Sequence, residues 1–149
     1  MDAVTYPDIK VIGFIDKQMV PLRLPADAPL AAEFKVTWTP TLVILDCDGN
    51  ERHRIVGFMP PDELIPAMEI GMAKAAYDIG RYDDAVIHLD NILHDYPSSG
   101  AAPESVFMRG VCRYKSSHAA GPLKEAYEKL AADYPESEWT KRAHPYSLL

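Results

Sequence analysis

Apolar and polar positions follow two different patterns along the chain, with the change near residue 60. Before that point, short stretches with helical and with strand periodicity alternate. After it, apolar residues recur every three or four positions, which predicts helices alone. The predicted fold class is therefore α/β followed by all-α helical hairpins. We place the first domain at residues 1–66 and the helical region at residues 67–149.

The segments before residue 40 predict two short helices and a strand. Pro7 to Ile15 reads as an amphipathic helix whose apolar side holds Ile9, Val11, Ile12 and Ile15. Met19 to Leu24 alternates apolar and polar residues and predicts a strand, with Pro21 restricting it to an edge or a strand start. Ala28 to Phe34 predicts the second helix.

A hairpin follows. Thr41 to Leu45 is continuously apolar and β-branched, as in a strand buried on both faces. Asp48-Gly49 tolerates the positive φ angles of a tight turn. Arg52 to Phe58 then predicts the returning strand.

The helical region begins at Pro60-Pro61-Asp62-Glu63, where proline and acids favour a helix start. One apolar stripe follows, and Gly80 is expected to end this helix. Its members are Leu64, Met68, Met72, Ala75 and Ile79.

Two later helices end in the same three letters. HLDNILHDYP and AYEKLAADYP align without gaps, and their pairs Tyr96-Pro97 and Tyr134-Pro135 lie 38 residues apart. A period of this length is typical of stacked helix pairs.

Composition narrows the function classes. The chain has 149 residues, 48% hydrophobic content and a net charge of −7, which argues against binding to a phosphate backbone. No apolar run approaches the roughly 20 residues that a membrane-spanning helix needs. The first ten residues do not resemble a signal peptide, so we expect a cytoplasmic protein. The histidines show no metal-ligand spacing, and we predict no metal and no cofactor.

The stretch AYDIGRYDDAVIHLDNILHDYP resembles a tetratricopeptide repeat. The matching positions are Ala76, Tyr77, Gly80, Tyr82, Ala85, Leu89 and Tyr96-Pro97. The second copy departs from the pattern in its turn, KSSHAAGP. About two units are visible, so we expect them to pack against the first domain.

The run FKVTWTPTLVILDCDGNERHRIVGF resembles the C-terminal two-thirds of a thioredoxin-like domain, and the resemblance covers residues 1 to about 70. It implies a cis peptide bond before Pro40. It also implies that the residue before this proline, Thr39, offers its backbone to an extended substrate peptide, with Trp38 beside it. The predicted peptide-binding or substrate-binding residues are thus Trp38, Thr39 and Pro40.

Thioredoxin-like redox chemistry needs Cys-x-x-Cys at a helix start, where the helix dipole favours the thiolate. The chain has only Cys47 and Cys112, and neither is placed to act as the nucleophile, so no catalytic residue is assigned. The family's first strand is also missing, which leaves Met19 to Leu24 without one neighbour. Three explanations remain: Met1 is internal to a longer enzyme, the scaffold has lost redox activity, or another subunit supplies a strand.

Two functions are consistent with this sequence. The first is a non-catalytic interaction protein in which a degenerate thioredoxin-like domain and helical repeats bind a protein or peptide partner. The second is a thioredoxin-type thiol-disulfide oxidoreductase whose Cys-x-x-Cys lies upstream. A homo-oligomer that completes the sheet is compatible with either. No nucleic-acid or membrane partner is expected.

Overall fold

The computed structural model describes residues 1–149. The first half contains helix α1 (Ile9–Gln18), helix α2 (Pro29–Glu33), strand β1 (Thr41–Leu45) and strand β2 (Glu51–Val56). The second half contains α3 (Pro61–Asp78), α4 (Tyr82–Asp95), α5 (Ala102–Ser117), α6 (Gly121–Asp133) and α7 (Glu138–Ala143), then a 3-10 turn at His144–Leu148. The predicted α/β-then-α fold class is confirmed.

Helix α1 presents a different face to the core from the one predicted. Asp8 caps it by accepting hydrogen bonds from the backbone N–H groups of Lys10 and Val11. Val11 is buried and Ile15 packs beside it, whereas Ile9 is exposed. Val11 and Ile15 are four residues apart and therefore lie on the same face of the helix, whereas Ile9 lies on a different face, which is exposed to solvent.

The predicted strand Met19 to Leu24 is wrong. The sheet contains only β1 and β2, and no backbone hydrogen bond joins Val20 to Leu24 with another segment. Val20 and Leu22 are exposed. An alternating sequence forms a strand only where a neighbouring strand pairs with its backbone, and this segment has none.

Strands β1 and β2 form an antiparallel hairpin, and β1 has the predicted bounds. Leu42 and Ile44 pack toward α3 in the main core of this half. The expectation that β1 is buried on both faces is wrong, because its residues are half-buried and Leu45 is exposed. With two strands in the sheet, only one face of β1 is covered by a helix.

Helix α3 is the central element. It packs on both strands on one side and on α4 on the other, and it is buried almost continuously from Leu64 to Gly71. Gly71 lies where a side chain would overlap Ile44 Cδ1 and come within 3.0 Å of His53 Cβ. The helix ends as predicted, with Gly80 at φ 77° and the Arg81 N–H bonded to the Ala76 carbonyl. The predicted boundary between residues 66 and 67 falls inside α3, and the division into domains stays a prediction.

In the helical half, each helix from α3 to α6 packs on the next one along the chain, and α7 packs on α5 and α6. The two Asp-Tyr-Pro corners have the same backbone shape, with Tyr96 at φ −134°, ψ 50° and Tyr134 at φ −136°, ψ 53°. They also touch, since the Tyr134 hydroxyl donates a 2.7 Å hydrogen bond to the Pro97 carbonyl. This region is consistent with helical repeats.

Candidate functional site

The loop from Phe34 to Pro40 holds the three residues singled out in the sequence. Arg54 on β2 donates a 2.7 Å hydrogen bond to the Phe34 carbonyl, which fixes the start of the loop. The Thr41 hydroxyl donates to the Trp38 carbonyl at 2.7 Å, and the Gly57 N–H donates to the Pro40 carbonyl at 2.8 Å. The loop is therefore anchored to the hairpin at both ends.

Trp38 extends from this loop into solvent, with 67% of its surface exposed. It lies between two shallow hollows of about 430 and 330 Å³. The larger one is lined by Glu33, Phe34, Lys35, Thr37, Trp38, Thr41, Glu51, Arg54 and Val56. The smaller one is lined by Ala26, Val36, Thr37, Trp38 and Thr39. A large indole in such a position combines apolar area with accessibility, as binding residues do.

Thr39 has free backbone groups. Its N–H and C=O make no backbone hydrogen bond within the chain, and the Thr39–Pro40 peptide bond is cis. An unpaired amide and carbonyl beside an exposed indole form a place where an extended chain can bond.

The charges of the larger hollow are paired with each other. Arg54 and Glu51 form an ion pair with a 2.5 Å contact between nitrogen and oxygen. Hydrogen bonding to Arg54 lowers the pKa of the Glu51 carboxyl and raises the pKa of the Arg54 guanidinium. The guanidinium therefore stays charged and holds both the loop carbonyl and the carboxylate.

Phe34, Arg54 and Val56 were missed as neighbours of Trp38 in the sequence. Arg54 and Val56 meet Trp38 only because β2 folds back along β1, whereas Phe34 belongs to the same loop as Trp38. The sequence held one signal for this proximity: Asp48-Gly49, a turn dipeptide, lies between two strand patterns. The hairpin that this arrangement predicts brings position 54 or 56 near position 41.

The two cysteines lie apart from each other in the fold. Cys47 is exposed in the hairpin turn, and Cys112 is buried in α5; both thiols are free. Burial raises the pKa of the Cys112 thiol to about 11, so it is protonated near neutral pH. Neither cysteine lies in the Phe34 to Pro40 loop.

No group of three or more His, Cys, Asp or Glu side chains is arranged to hold a metal ion. No helix is both long enough and apolar enough to span a bilayer.

Residues 5–70 match the family model of the thioredoxin-like domain, which supports such a domain in the first half of the chain. The match includes Trp38, Thr39 and Pro40 and ends inside α3. No curated protein and no solved structure matches the chain.

Proposed function

We propose that this chain is a non-catalytic interaction protein that binds an extended peptide segment at Trp38, Thr39 and Pro40. The observation that carries the proposal is the exposed Trp38 indole beside the unpaired backbone of Thr39. The indole supplies apolar contact, and the backbone supplies hydrogen bonds that do not depend on the partner's side chains. The 149 residues contain no Cys-x-x-Cys, so the binding described here requires no thiol.

The helical half has a supporting role in this proposal. We interpret α3 to α7 as repeats of the tetratricopeptide type, on the basis of the two matching Tyr-Pro corners. Because α3 belongs both to the sheet core and to the helical stack, the helices hold the hairpin in place. They also supply a second surface for the same protein partner.

The direct test is a peptide selection against the intact chain, followed by affinity measurements on the strongest binder by fluorescence polarisation. We expect Trp38→Ala to lose about 2 kcal/mol of binding free energy, roughly 30-fold in Kd, as at interface hot spots. Thr39→Ala keeps its backbone groups, so we expect it to bind nearly as well as the wild type.

Ile87→Ala provides the matched control, because Ile87 is an exposed apolar residue on α4, far along the chain from the loop. It should bind the peptide as the wild type does. A selected peptide whose affinity falls with Ile87→Ala and not with Trp38→Ala would overturn the proposed site.

A second candidate function is a thiol-disulfide oxidoreductase of the thioredoxin type. The match over residues 5–70, with Thr39-Pro40 directly before β1, favours it. In that case Thr39 and Pro40 position a protein disulfide, and the reacting thiols come from residues upstream of those printed here. The intact mass of the endogenous protein separates the two functions. A mass near 16.6 kDa supports the binding protein, and a mass larger by several kilodaltons with two further alkylatable thiols supports the enzyme.

A further inference from the structure

Three half-buried side chains from three different elements join the sheet to the helical half. His53 of β2 lies next to Lys74 of α3, with Nδ1 and Nζ 3.4 Å apart. The Lys74 ammonium also forms an ion pair with Glu104, in the first turn of α5, at 2.9 Å. These three residues are named the junction cluster.

The direction of the hydrogen bond between His53 and Lys74 follows from the chemistry of the two groups. An ammonium group can only donate, so Nδ1 of His53 accepts, and the neutral ring carries its proton on Nε2. A second proton on the ring would occupy Nδ1 and remove the acceptor. Two cations would then face each other across the 3.4 Å that the hydrogen bond now spans.

The surroundings of His53 favour its neutral form. Burial is the main cause that lowers the pKa of His53, and the charge of Lys74 lowers this pKa further, whereas Glu104 and Glu51 raise it by less. Strand β1 has no charged residue, and it places Ile44 opposite His53. A proton on His53 is therefore not offset by its neighbours, and one of the two cations has to move.

Of the two cations, Lys74 has the closer partner, because Glu104 pairs with it at 2.9 Å. The His53 side chain instead packs on Gly71 of α3, where a methyl group would lie 3.0 Å from His53 Cβ and 3.4 Å from Cδ2. We propose that the junction cluster is a pH-sensitive joint: a proton on Nδ1 releases His53 from Gly71, while Lys74 stays paired with Glu104.

The release is local, because β2 has a second link to α3 in which no histidine takes part. Arg52 pairs with Asp78 of α3 at 3.0 Å, and protonation of His53 leaves this contact in place. Neighbouring residues of a strand point to opposite faces of the sheet, so His53 faces α3 and Arg54 faces the loop of Trp38. The joint therefore does not depend on the proposed peptide site.

Long-range proton–nitrogen NMR spectra of the His53 ring, recorded over a pH series of the intact chain, test the hydrogen bond. At neutral pH we expect Nε2 to carry the proton and Nδ1 to carry none. Lys74→Met should move the titration of His53 to higher pH, because it removes both a cation and a donor. Glu104→Gln should move it to lower pH, because the charge of Lys74 is then unopposed. Lys129→Met, on the exposed surface of α6, is the control and should leave the titration unchanged.

The nuclear Overhauser contact between His53 Hδ2 and Gly71 Hα tests the release. We expect this contact above the titration midpoint of His53 and its loss below the midpoint, with the amide spectrum of a folded chain throughout. His53→Gln is the matched control, and its side-chain contact with Gly71 should not change with pH. If Lys74→Met does not fold, Lys74→Gln makes the same comparison.

Three results would overturn the proposal. The first is an Nδ1 atom that carries the proton at neutral pH. The second is a titration of His53 that neither the Lys74 nor the Glu104 substitution moves. The third is a contact with Gly71 that persists on the protonated ring, or is lost only when the whole chain unfolds. None of these results bears on the peptide site, which is tested by Trp38→Ala.

Discussion

Glu69 on α3 and His88 on α4 are within hydrogen-bond distance of each other, with Oε2 and Nδ1 2.5 Å apart. Glu69 is only 6% exposed, and its other oxygen accepts a 3.3 Å hydrogen bond from Asn91. A buried carboxylate is stable only when such partners replace the water that it loses. The contact therefore links α4 to α3, the helix that also supports the hairpin.

Breaking this pair should destabilise the junction of α3 and α4. In a double-mutant cycle with Glu69→Ala and His88→Ala, we expect a coupling of about 1–3 kcal/mol in the free energy of unfolding. His94 lies on the same helix but is exposed, so the cycle of Glu69→Ala with His94→Ala should give a coupling near zero. Urea denaturation measures both, and equal couplings would contradict the assignment.

Gly71 is predicted to be essential for the contact between α3 and the sheet. A methyl group there would overlap Ile44 Cδ1, and the close packing of the core leaves little room for relief. Gly71→Ala should cost about 1–3 kcal/mol of stability. Gly13→Ala in α1 is the control, because nothing lies within 4 Å of its added methyl group, and it should be neutral or stabilising by up to about 1 kcal/mol. In thermal unfolding, we expect the midpoint temperature to fall for Gly71→Ala and to stay unchanged or rise for Gly13→Ala.

Local patterns predicted β1 and the Gly80 helix end, because periodicity and turn chemistry act over a few residues. The other features depend on contacts between segments that are distant in the sequence. Met19 to Leu24 has a strand pattern but no strand to pair with. In the candidate site, Trp38, Thr39 and Pro40 stood out in the sequence and stay a prediction, whereas Arg54 and Val56 lie near them through pairing across the hairpin.

Stability should fall in mild acid because of His53. Burial is the main cause that lowers the pKa of His53 below its ordinary value of 6.5, and the positive charge of Lys74 lowers this pKa further. The negative charges of Glu104 and Glu51 raise the pKa, but by less. The unfolded chain then binds a proton more readily than the folded one, so the free energy of unfolding decreases as the pH drops below about 6.5. This decrease in the free energy of unfolding is complete once the pH lies below the pKa of His53 in the folded state.

His53→Gln is the control for that pH dependence, since its side chain does not titrate. Urea denaturation on either side of pH 6.5 should give a steeper decline for the wild type than for this variant. Identical slopes would show that other groups cause the decline.

The two thiols should differ in reactivity. Cys47 is exposed, whereas Cys112 is buried and has its pKa raised to about 11. A reagent that reacts with thiolates, applied at neutral pH, should label one thiol per folded chain and two thiols per unfolded chain. Cys47→Ser should abolish the labelling of the folded chain, and Cys112→Ser should leave it unchanged. Rapid labelling of Cys112 in the folded chain would contradict the burial of this side chain against α3 and α4.

An amide NMR titration of the isotope-labelled chain, with a peptide selected against it, tests the proposed peptide site most directly. We expect the signals of the Trp38 indole N–H and the Thr39 amide to shift the most, and exchange of the Thr39 amide with solvent to slow on binding. Shifts confined to α4 through α7, with Trp38 and Thr39 unchanged, would contradict it and place the interaction on the helical half.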